Sequence, residues 1–521
     1  MNKFLKRRLI ILVVLTVLAF LFYYSGRRLV EDSIEAEIIT LLEKVNIDYD
    51  SLDIDLINNQ ILIDGPRMAF AKQDTLPRKF NCKLSSIQLN GFNIKAYLND
   101  KKICLKTVIF HKPQINLYET GSTNYKILDK NFKLHSNNDI YIESLYVNKA
   151  SVVVTNTITD SLTAHSSELN LQISEVIIKD SLSEKPFQYK NVELDAKNVY
   201  FNLGEYEQIR ISELVSDLGK VTIKDIVIKT KYTQEGYYNV IDKERDWYHA
   251  TIDSLKISNF NIFNVNVLPY YRLKKVQVYK PNIQIIRNKL IADATIYKPL
   301  YSKMLRESKT RFEIDTIQIH KGSVVYKETV DYSSNMAELR FSQLDGVLEN
   351  IGSEFSATSN LGTKIKISGK FMDTADLDLD WQFNVSDEND GFIFRANIGA
   401  IDASRFNQFI EPEVNAVLDG VLKKTYFTIN GTDYASSIDM KLNYDDFKVT
   451  VFRKNSREKN KLLSSLANLF IKKTTDREED NFRETSKSGI IRNTHKSFFN
   501  FVWLNIREGL ILAMIGDAGQ A

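Results

Sequence analysis

Two cysteines and six histidines in 521 residues leave too little sulfur and imidazole for a disulfide scaffold or a Cys/His zinc module. Eight prolines and 20 glycines are few for so long a chain, which excludes collagen-like, proline-rich and Gly/Ser-linker architectures. Charge of one sign is lacking as well. With 69 Lys and Arg against 66 Asp and Glu, the formal charge of +3 is too balanced for a chain that coats nucleic acid, and no nucleic-acid partner is expected. No G-x-x-x-x-G-K-[ST], G-x-S-x-G, H-E-x-x-H or C-x-x-C occurs. The histidines, His111, His135, His165, His249, His320 and His495, are widely scattered. Asp53 and Asp55, and Asp378 and Asp380, have an i, i+2 spacing that a retaining glycosidase could use. Their apolar neighbours Ile54, Leu379 and Trp381 give the simpler reading, the polar face of an amphipathic strand. No enzyme activity, catalytic residue, metal or cofactor is expected. What the chain does have is 43% hydrophobic residues, ample for a buried core.

Residues 9–24 read LIILVVLTVLAFLFYY, sixteen residues without a charge, preceded by Lys3, Lys6, Arg7 and Arg8. The run is slightly short of a ~30 Å hydrocarbon core, but Phe4, Leu5, Ser25 and Gly26 extend it. A cleavable signal peptide is the competing reading. Such a peptide ends in small residues, whereas this run ends in Tyr23, Tyr24, Arg27 and Arg28, which favours an uncleaved anchor. The basic residues before the span place the N-terminus in the cytoplasm. The expectation is a single-pass membrane protein, anchored by its N-terminal helix, with the bulk of the chain exported; if the source is a diderm bacterium, that means the inner membrane and the periplasm. Cys82 and Cys104 would then lie in an oxidising space, either bridged or as two buried thiols.

Ile34, Ile38, Leu41, Leu42 and Val45 fall at helical spacing, so an amphipathic helix is expected over 29–46. From about residue 50 the period changes to two, as in Ile61 and Ile63, Ile87 and Leu89, or Leu377, Leu379 and Trp381. The chain also repeats itself. At a constant offset of 168, residues 83–117 match 251–285 at ten of 35 positions, against roughly two from average composition. The register continues after a four-residue insertion, with Lys149, Ser151, Val152 and Val153 matching Lys321, Ser323, Val324 and Val325. The duplicated unit covers about 83–154 and 251–326, the mark of an extended array. Pro113 and Pro281 recur between strands in both copies and predict a bend there. Neither cysteine has a counterpart in the second copy.

A sheet with one apolar face must hide it against a second sheet, against helices, or against a ligand. Helical patterns are scarce between 50 and 450, which leaves stacked sandwiches or an open groove suited to acyl chains. The expected lining is Ile87, Leu89, Val108, Phe110, Ile115, Leu117, Leu145 and Val147 in the first copy. In the second it is Leu255, Ile257, Val276, Val278, Ile283 and Ile285. At ~12 residues per strand and turn, about 400 residues give roughly 33 strands.

The C-terminal part carries Gly420, Leu422, Phe427, Ile429 and Gly431, then Asp439, Met440, Leu442, Tyr444, Asp446, Phe447, Lys448 and Val449, then LLSSLANLFIKK from Leu462. With the N-terminal anchor, the short helix and the recurring strand unit running into Lys-Pro, this resembles the AsmA-like family. That family is related to the AsmA/TamB group of bridge-like lipid transfer proteins. The resemblance implies a mainly β fold: a transmembrane helix, then an elongated, repetitive antiparallel sheet curled into an apolar groove over 47–455. It also implies a role in lipid transfer between membranes or outer-membrane biogenesis, with membrane phospholipids or other acyl lipids as partners. The alternative is a non-catalytic scaffolding protein of stacked β-sandwiches assisting outer-membrane assembly.

Beyond the cytoplasmic stub and anchor (1–28) and the groove region, three further segments are expected. They are an amphipathic helix at 456–473, a flexible linker at 474–492 and a C-terminal amphipathic helix at 493–521. Phe498, Phe501, Trp503, Ile506 and Leu510 give the last its apolar side, while Arg507 and Glu508 argue against a second span. It either contacts a membrane surface or an outer-membrane or envelope protein, or closes the end of the groove.

Overall fold

Apolar and polar residues that alternate along a strand turn to opposite faces, and the computed structural model is mainly β for that reason. It describes residues 31–36, 38–40, 42–43, 47–55, 57–70, 78–100, 102–119, 139–179, 187–265, 268–331, 336–353, 362–453 and 482–515. The expected span at 9–24 and helix at 456–473 lie outside them. Among the described residues there are 26 strands, fewer than the sequence estimate because several run for 17 to 19 residues. By contacts the chain divides into two units, residues up to Asn202 with Ser212–Leu218, and Leu203–Ile211 with Gly219 onward.

The first unit begins with helical residues between 31 and 43 (α1). Strands β1 (Ile47–Asp48), β2 (Ser51–Asp55), β3 (Gln60–Asp64), β4 (Arg67–Phe70), β5 (Arg78–Lys83) and β6 (Ser86–Asn90) follow. After helix α2 (Ile94–Asp100) come β7 (Ile103–His111), β8 (Gln114–Glu119), β9 (Ile140–Asn156), β10 (Ser161–Ile178), β11 (Phe187–Gln188) and β12 (Asn191–Asn202). β7 and β8 are two legs of one kinked path, and both pair in parallel with the long β9. The sheet is therefore mixed, where a purely antiparallel one was expected. A parallel return needs a connection of a dozen residues or more, which 120–139 supply.

Strand β13 (Glu207–Asp217) contributes residues to both units. The second unit continues with β14 (Lys220–Thr230), α3 (Gln234–Tyr238), β15 (Trp247–Val265), β16 (Leu268–Tyr279), β17 (Asn282–Asn288), α4 (Tyr301–Arg306), β18 (Arg311–Thr329) and β19 (Ala337–Gly352). Then come β20 (Thr363–Phe371), β21 (Ala375–Phe383), β22 (Phe392–Ile398), β23 (Ile401–Asp402), α5 (Asn407–Val414), β24 (Ala416–Gly431), β25 (Ala435–Val451), β26 (Arg483–Ile491) and α6 (Phe498–Ile515). Here β16 and β17 both pair in parallel with β18, and 289–310, with α4, form the return. β26 corrects the expected linker at 474–492: residues 483–491 are a strand paired with β25.

The duplication holds residue for residue in the pairing. Leu89 opposite Val108 becomes Ile257 opposite Val276, and Val108 opposite Leu145 becomes Val276 opposite Ile317. It reaches further than the sequence identity does. Ile61 opposite Leu89 recurs as Val221 opposite Ile257, and Ile173 opposite Leu145 as Leu348 opposite Ile317. The bend sits where the prolines predict it. Lys112 and Lys280 adopt φ 48° and 47°, and Lys149 and Lys321 across from them φ 55° and 54°. The amide of Lys112 donates to the Asn148 carbonyl at 2.8 Å and that of Lys280 to the His320 carbonyl at 2.7 Å. Ser151 and Ser323 donate to the carbonyls of Pro113 and Pro281, each at 2.7 Å.

A branched Cβ is costly in the left-handed region. Lys280→Val and Lys321→Val should each lose about 1–2 kcal/mol in urea titrations, whereas Lys280→Gly should leave the urea midpoint nearly unchanged.

Candidate functional site

Register converts the alternation of single strands into continuous apolar rows. In the first unit Ile54, Ile61, Leu89, Val108, Leu145, Ile173 and Val192 stand side by side across seven strands. The adjacent row is Leu52, Ile63, Ile87, Phe110, Val147, Leu171 and Leu194. The second unit extends this to ten strands. One row runs from Val221 through Ile257, Val276, Ile317 and Leu348, then Ile365, Trp381, Phe394, Ile429 and Ile438. Its neighbour contains Ile223, Leu255, Val278, Ile319, Gly346 and Ile367, and ends in Leu379, Ala396, Phe427 and Met440.

Ten of the fourteen residues expected to line a groove stand in these rows. The other four lie past the bend. Ile115 pairs with Cys82 and Val152, Leu117 with Phe80 and Val154, Ile283 with Ala250 and Val324, and Ile285 with Tyr248 and Tyr326. Of the two alternatives for Cys82 and Cys104, the structure has both as free thiols. Cys82 sits on β5, between β4 and β8, while Cys104 sits on β7, between β6 and β9. The two strands are not neighbours, and burial pushes the Cys82 thiol pKa up.

Helices cover part of each apolar face, a contribution the sequence pattern understated. In the first unit Ile34, Ile38 and Leu42 of α1 pack over β2, β3 and β6, and Phe92 and Tyr97 meet at 5.6 Å beside them. In the second, α6 packs on β24, β25 and β26. Phe498 stacks on Trp381 at 4.4 Å and 9°, and Trp503 meets Phe409 of α5 at 5.1 Å and 90°. Inside α6, Asn505 accepts from the Ser436 hydroxyl at 2.8 Å and donates to the Phe501 carbonyl at 2.8 Å. This packing sets α6 over the end of the row. Ile429 and Ile438 are 0% exposed beneath it. Further along the same row Ile257, Ile317 and Leu348 are only half-buried.

Buried ion pairs fasten the cover. Arg287 holds Asp246 through two bonds of 2.7 and 2.8 Å, and Lys496, just before α6, reaches Glu244 at 2.9 Å and Asp293 at 2.7 Å. Arg306 of α4 binds Asp390 at 2.9 Å, which also accepts from Ser302 at 2.8 Å. Arg492 pairs with Asp433, itself bonded to the Tyr297 hydroxyl at 2.8 Å. At the end of α5, Lys289 contacts both oxygens of Glu413 at 3.0 Å, and also Glu328, which accepts from Tyr326. None of these pairs is visible in the sequence, since Lys496 and Glu244 are 252 positions apart.

No protein-family model matches the chain, and no curated protein is similar to it. Among the described residues no group of acidic, histidine or cysteine side chains is arranged to hold a metal ion, and no helix is long and apolar enough to cross a membrane. The paired aspartates lie on the face opposite the rows. Asp380 stands between Lys366 and Arg395, Asp378 between Ser368 and Asn397, and Asp55 accepts from the amides of Ile57 and Asn58 in a turn.

Glu328 and Glu413 face one lysine and are hydrogen-bonded to each other. Burial, reinforced by the hydrogen bond to Glu328, pushes Glu413 up to about 7. Burial also opposes ionisation of Glu328, but bonds from Glu413, Lys289 and Tyr326 hold it below its ordinary value. Glu413, with its value raised by folding, contributes stability at low pH that is lost as pH rises toward 7. Glu328, with its value lowered, contributes stability that is lost as pH falls below the carboxylate range. The contribution of this pair should therefore be greatest near pH 4.5 and fall by on the order of 3 kcal/mol by pH 8. In denaturant titrations Glu413→Gln should abolish that alkaline loss.

Proposed function

We propose that the apolar rows bind the acyl chains of membrane lipids, in a protein anchored in the inner membrane by residues 9–24 with its sheet in the periplasm. Its task is to support lipid transfer between membranes or outer-membrane biogenesis, without catalysis. The observation that carries this reading is the contrast along one row: Ile429 and Ile438 are sealed under α6, while Ile257, Ile317 and Leu348 remain half-buried around the buried Val276. An apolar face kept partly open in register over several strands is a poor core and a suitable surface for a flexible hydrocarbon. Backbone ladders and the buried ion pairs hold the sheet without requiring that stretch to be covered. Affinity would come from area, with little headgroup selectivity.

Two carboxylates placed in the same row test the reading. Full-length protein should retain phospholipid, detected by extraction, and take up labelled phospholipid. Ile317→Asp should cut uptake about ten-fold or more while changing stability little, because its charge reaches water. Ile429→Asp should cost about 4 kcal/mol or more and unfold the second unit. Wild-type protein that is empty and takes up no labelled lipid would overturn the proposal. Unfolding by Ile317→Asp as complete as that by Ile429→Asp would show a closed core and overturn it equally.

A further inference from the structure

Two carboxyl groups meet at the end of α5, and the hydrogen bond between Glu328 and Glu413 requires one of them to carry a proton. Their side chains are only 5% and 10% exposed, and Lys289 contacts both. Loss of the proton sets two carboxylates against one ammonium, which leaves a negative charge uncompensated where water hardly reaches. The other described residues packed on α5 supply no counter-charge. They are Ala337 and Leu339 of β19, Leu418 of β24, Val449 and Val451 of β25, and Trp503 of α6. Lys327, Glu338 and Arg340 alternate with the residues that face α5 and pair with one another on the opposite side of the sheet. Tyr326 donates to Glu328, and Arg287 is held by Asp246 and Glu244. Glu411 lies two positions before Glu413, around the far side of the helix.

The backbone of α5 makes its last turn the part that yields. The first turn is fixed separately, since the Asn407 side chain accepts from the Leu418 amide at 2.8 Å and donates to the Leu418 carbonyl at 2.9 Å. In the last turn Pro412 has no N–H to give to the Gln408 carbonyl, so the seating of that turn falls more heavily on the Glu413 cluster. Phe409 stands one turn before Glu413 on the same face. Its ring meets Trp503 of α6 at 5.1 Å and 90°. A displacement of Glu413 therefore reaches the surface of α5 that α6 touches.

We infer that Glu328, Glu413 and Lys289 form a pH latch on the cover of the second unit. With one proton shared by the two carboxyl groups the last turn of α5 is seated against the sheet; without it that turn is released and the contact of Phe409 with Trp503 loosens. The pH-dependent part of the stability thus belongs to one helix contact and acts by local opening before the unit unfolds. This holds whether or not the apolar rows carry lipid, since it concerns only how α5 and α6 are held.

The test is amide hydrogen exchange on the full-length chain in detergent, read by mass spectrometry and corrected at each pH for the intrinsic exchange rate. Between about pH 6 and about pH 8.5, protection at the end of α5 and around Trp503 should fall about ten-fold, while that of β15 and β16 stays constant. Glu413→Gln keeps a hydrogen-bond donor toward Glu328 and removes the titration, so its α5 should be equally protected at both pH values. Glu328→Gln leaves Glu413 paired with Lys289 and no competing carboxylate, and should likewise abolish the fall. Wild-type α5 equally protected at both pH values, a fall in either variant as large as in wild type, or a fall spread evenly over the unit would overturn the inference.

Discussion

Register between neighbouring strands is the constraint on which everything else here rests. With a side-chain period of two, a slip of one residue in any pair would send its apolar residues to the polar face. Val276 stands beside Ile257 on one side and Ile317 on the other, and Gln277 beside Lys256 and Gln318. Apolar surface withdrawn from water is worth about 25 cal/mol per Å², so each correctly registered strand adds to a stripe that favours the next. The stripe then demands cover. Trp381, Phe394, Ile429 and Ile438 obtain it from α6, whose Phe498, Phe501 and Val502 join their cluster.

The bends at Lys112 and Lys280 determine where cover can come from. Each turns one strand into two legs that pair in parallel with a single long partner. A parallel return cannot be made by a tight turn, so a long connection is forced at the same place in each copy. In the second unit that connection is 289–310, and it carries α4. Tyr301 of α4 meets Trp381 at 5.2 Å in a T-shaped contact, and Leu300 is buried in the same cluster. A segment required by topology thus becomes part of the lid. Arg306 bound to Asp390 and Arg492 bound to Asp433 and to the Lys298 carbonyl hold it in place.

The strands were legible because alternation is a local property: Ile87 and Leu89, or Leu377, Leu379 and Trp381, announce their faces within a few residues. The duplication was legible where identity survives, around Pro113 and Pro281. It was hidden at β3 and β14, where across 61–68 and 221–228 only Ile63 and Ile223 coincide, although the pairing is the same. Sheet geometry preserves apolar character, which several side chains can satisfy, and not identity. β26 was read as a linker because RETSKSGII is polar. Among the described residues its paired neighbour is β25, and polar composition at a sheet edge discourages unwanted pairing. Whether Cys82 and Cys104 bridge could not be read from the sequence, because spacing says nothing of which strands are neighbours. The buried pairs were unreadable for the same reason: Lys289 and Glu413 are 124 positions apart and meet only after β17, β18 and α5 are in place.

The stretch that holds the half-buried Ile257, Ile317 and Leu348, with the buried Val276 among them, has dimensions that bear on what could occupy it. From Ile257 on β15 through Val276 and Ile317 to Leu348 on β19, the row crosses four strands, so its ends lie on the order of 14 Å apart. One leaflet's share of a ~30 Å hydrocarbon core is about 15 Å, close to the length of one acyl chain. Laid across the strands, such a chain would meet an aliphatic side chain at each step, with the second row, Leu255, Val278 and Ile319, about 7 Å away beside it. That spacing accommodates two chains lying abreast better than one thick ligand. At Gly346 the second row has no side chain, and a built Cβ would approach Ile367 to 3.3 Å, so the indentation is shallow. On the proposed reading, a surface of this kind would distinguish ligands by apolar length and flexibility.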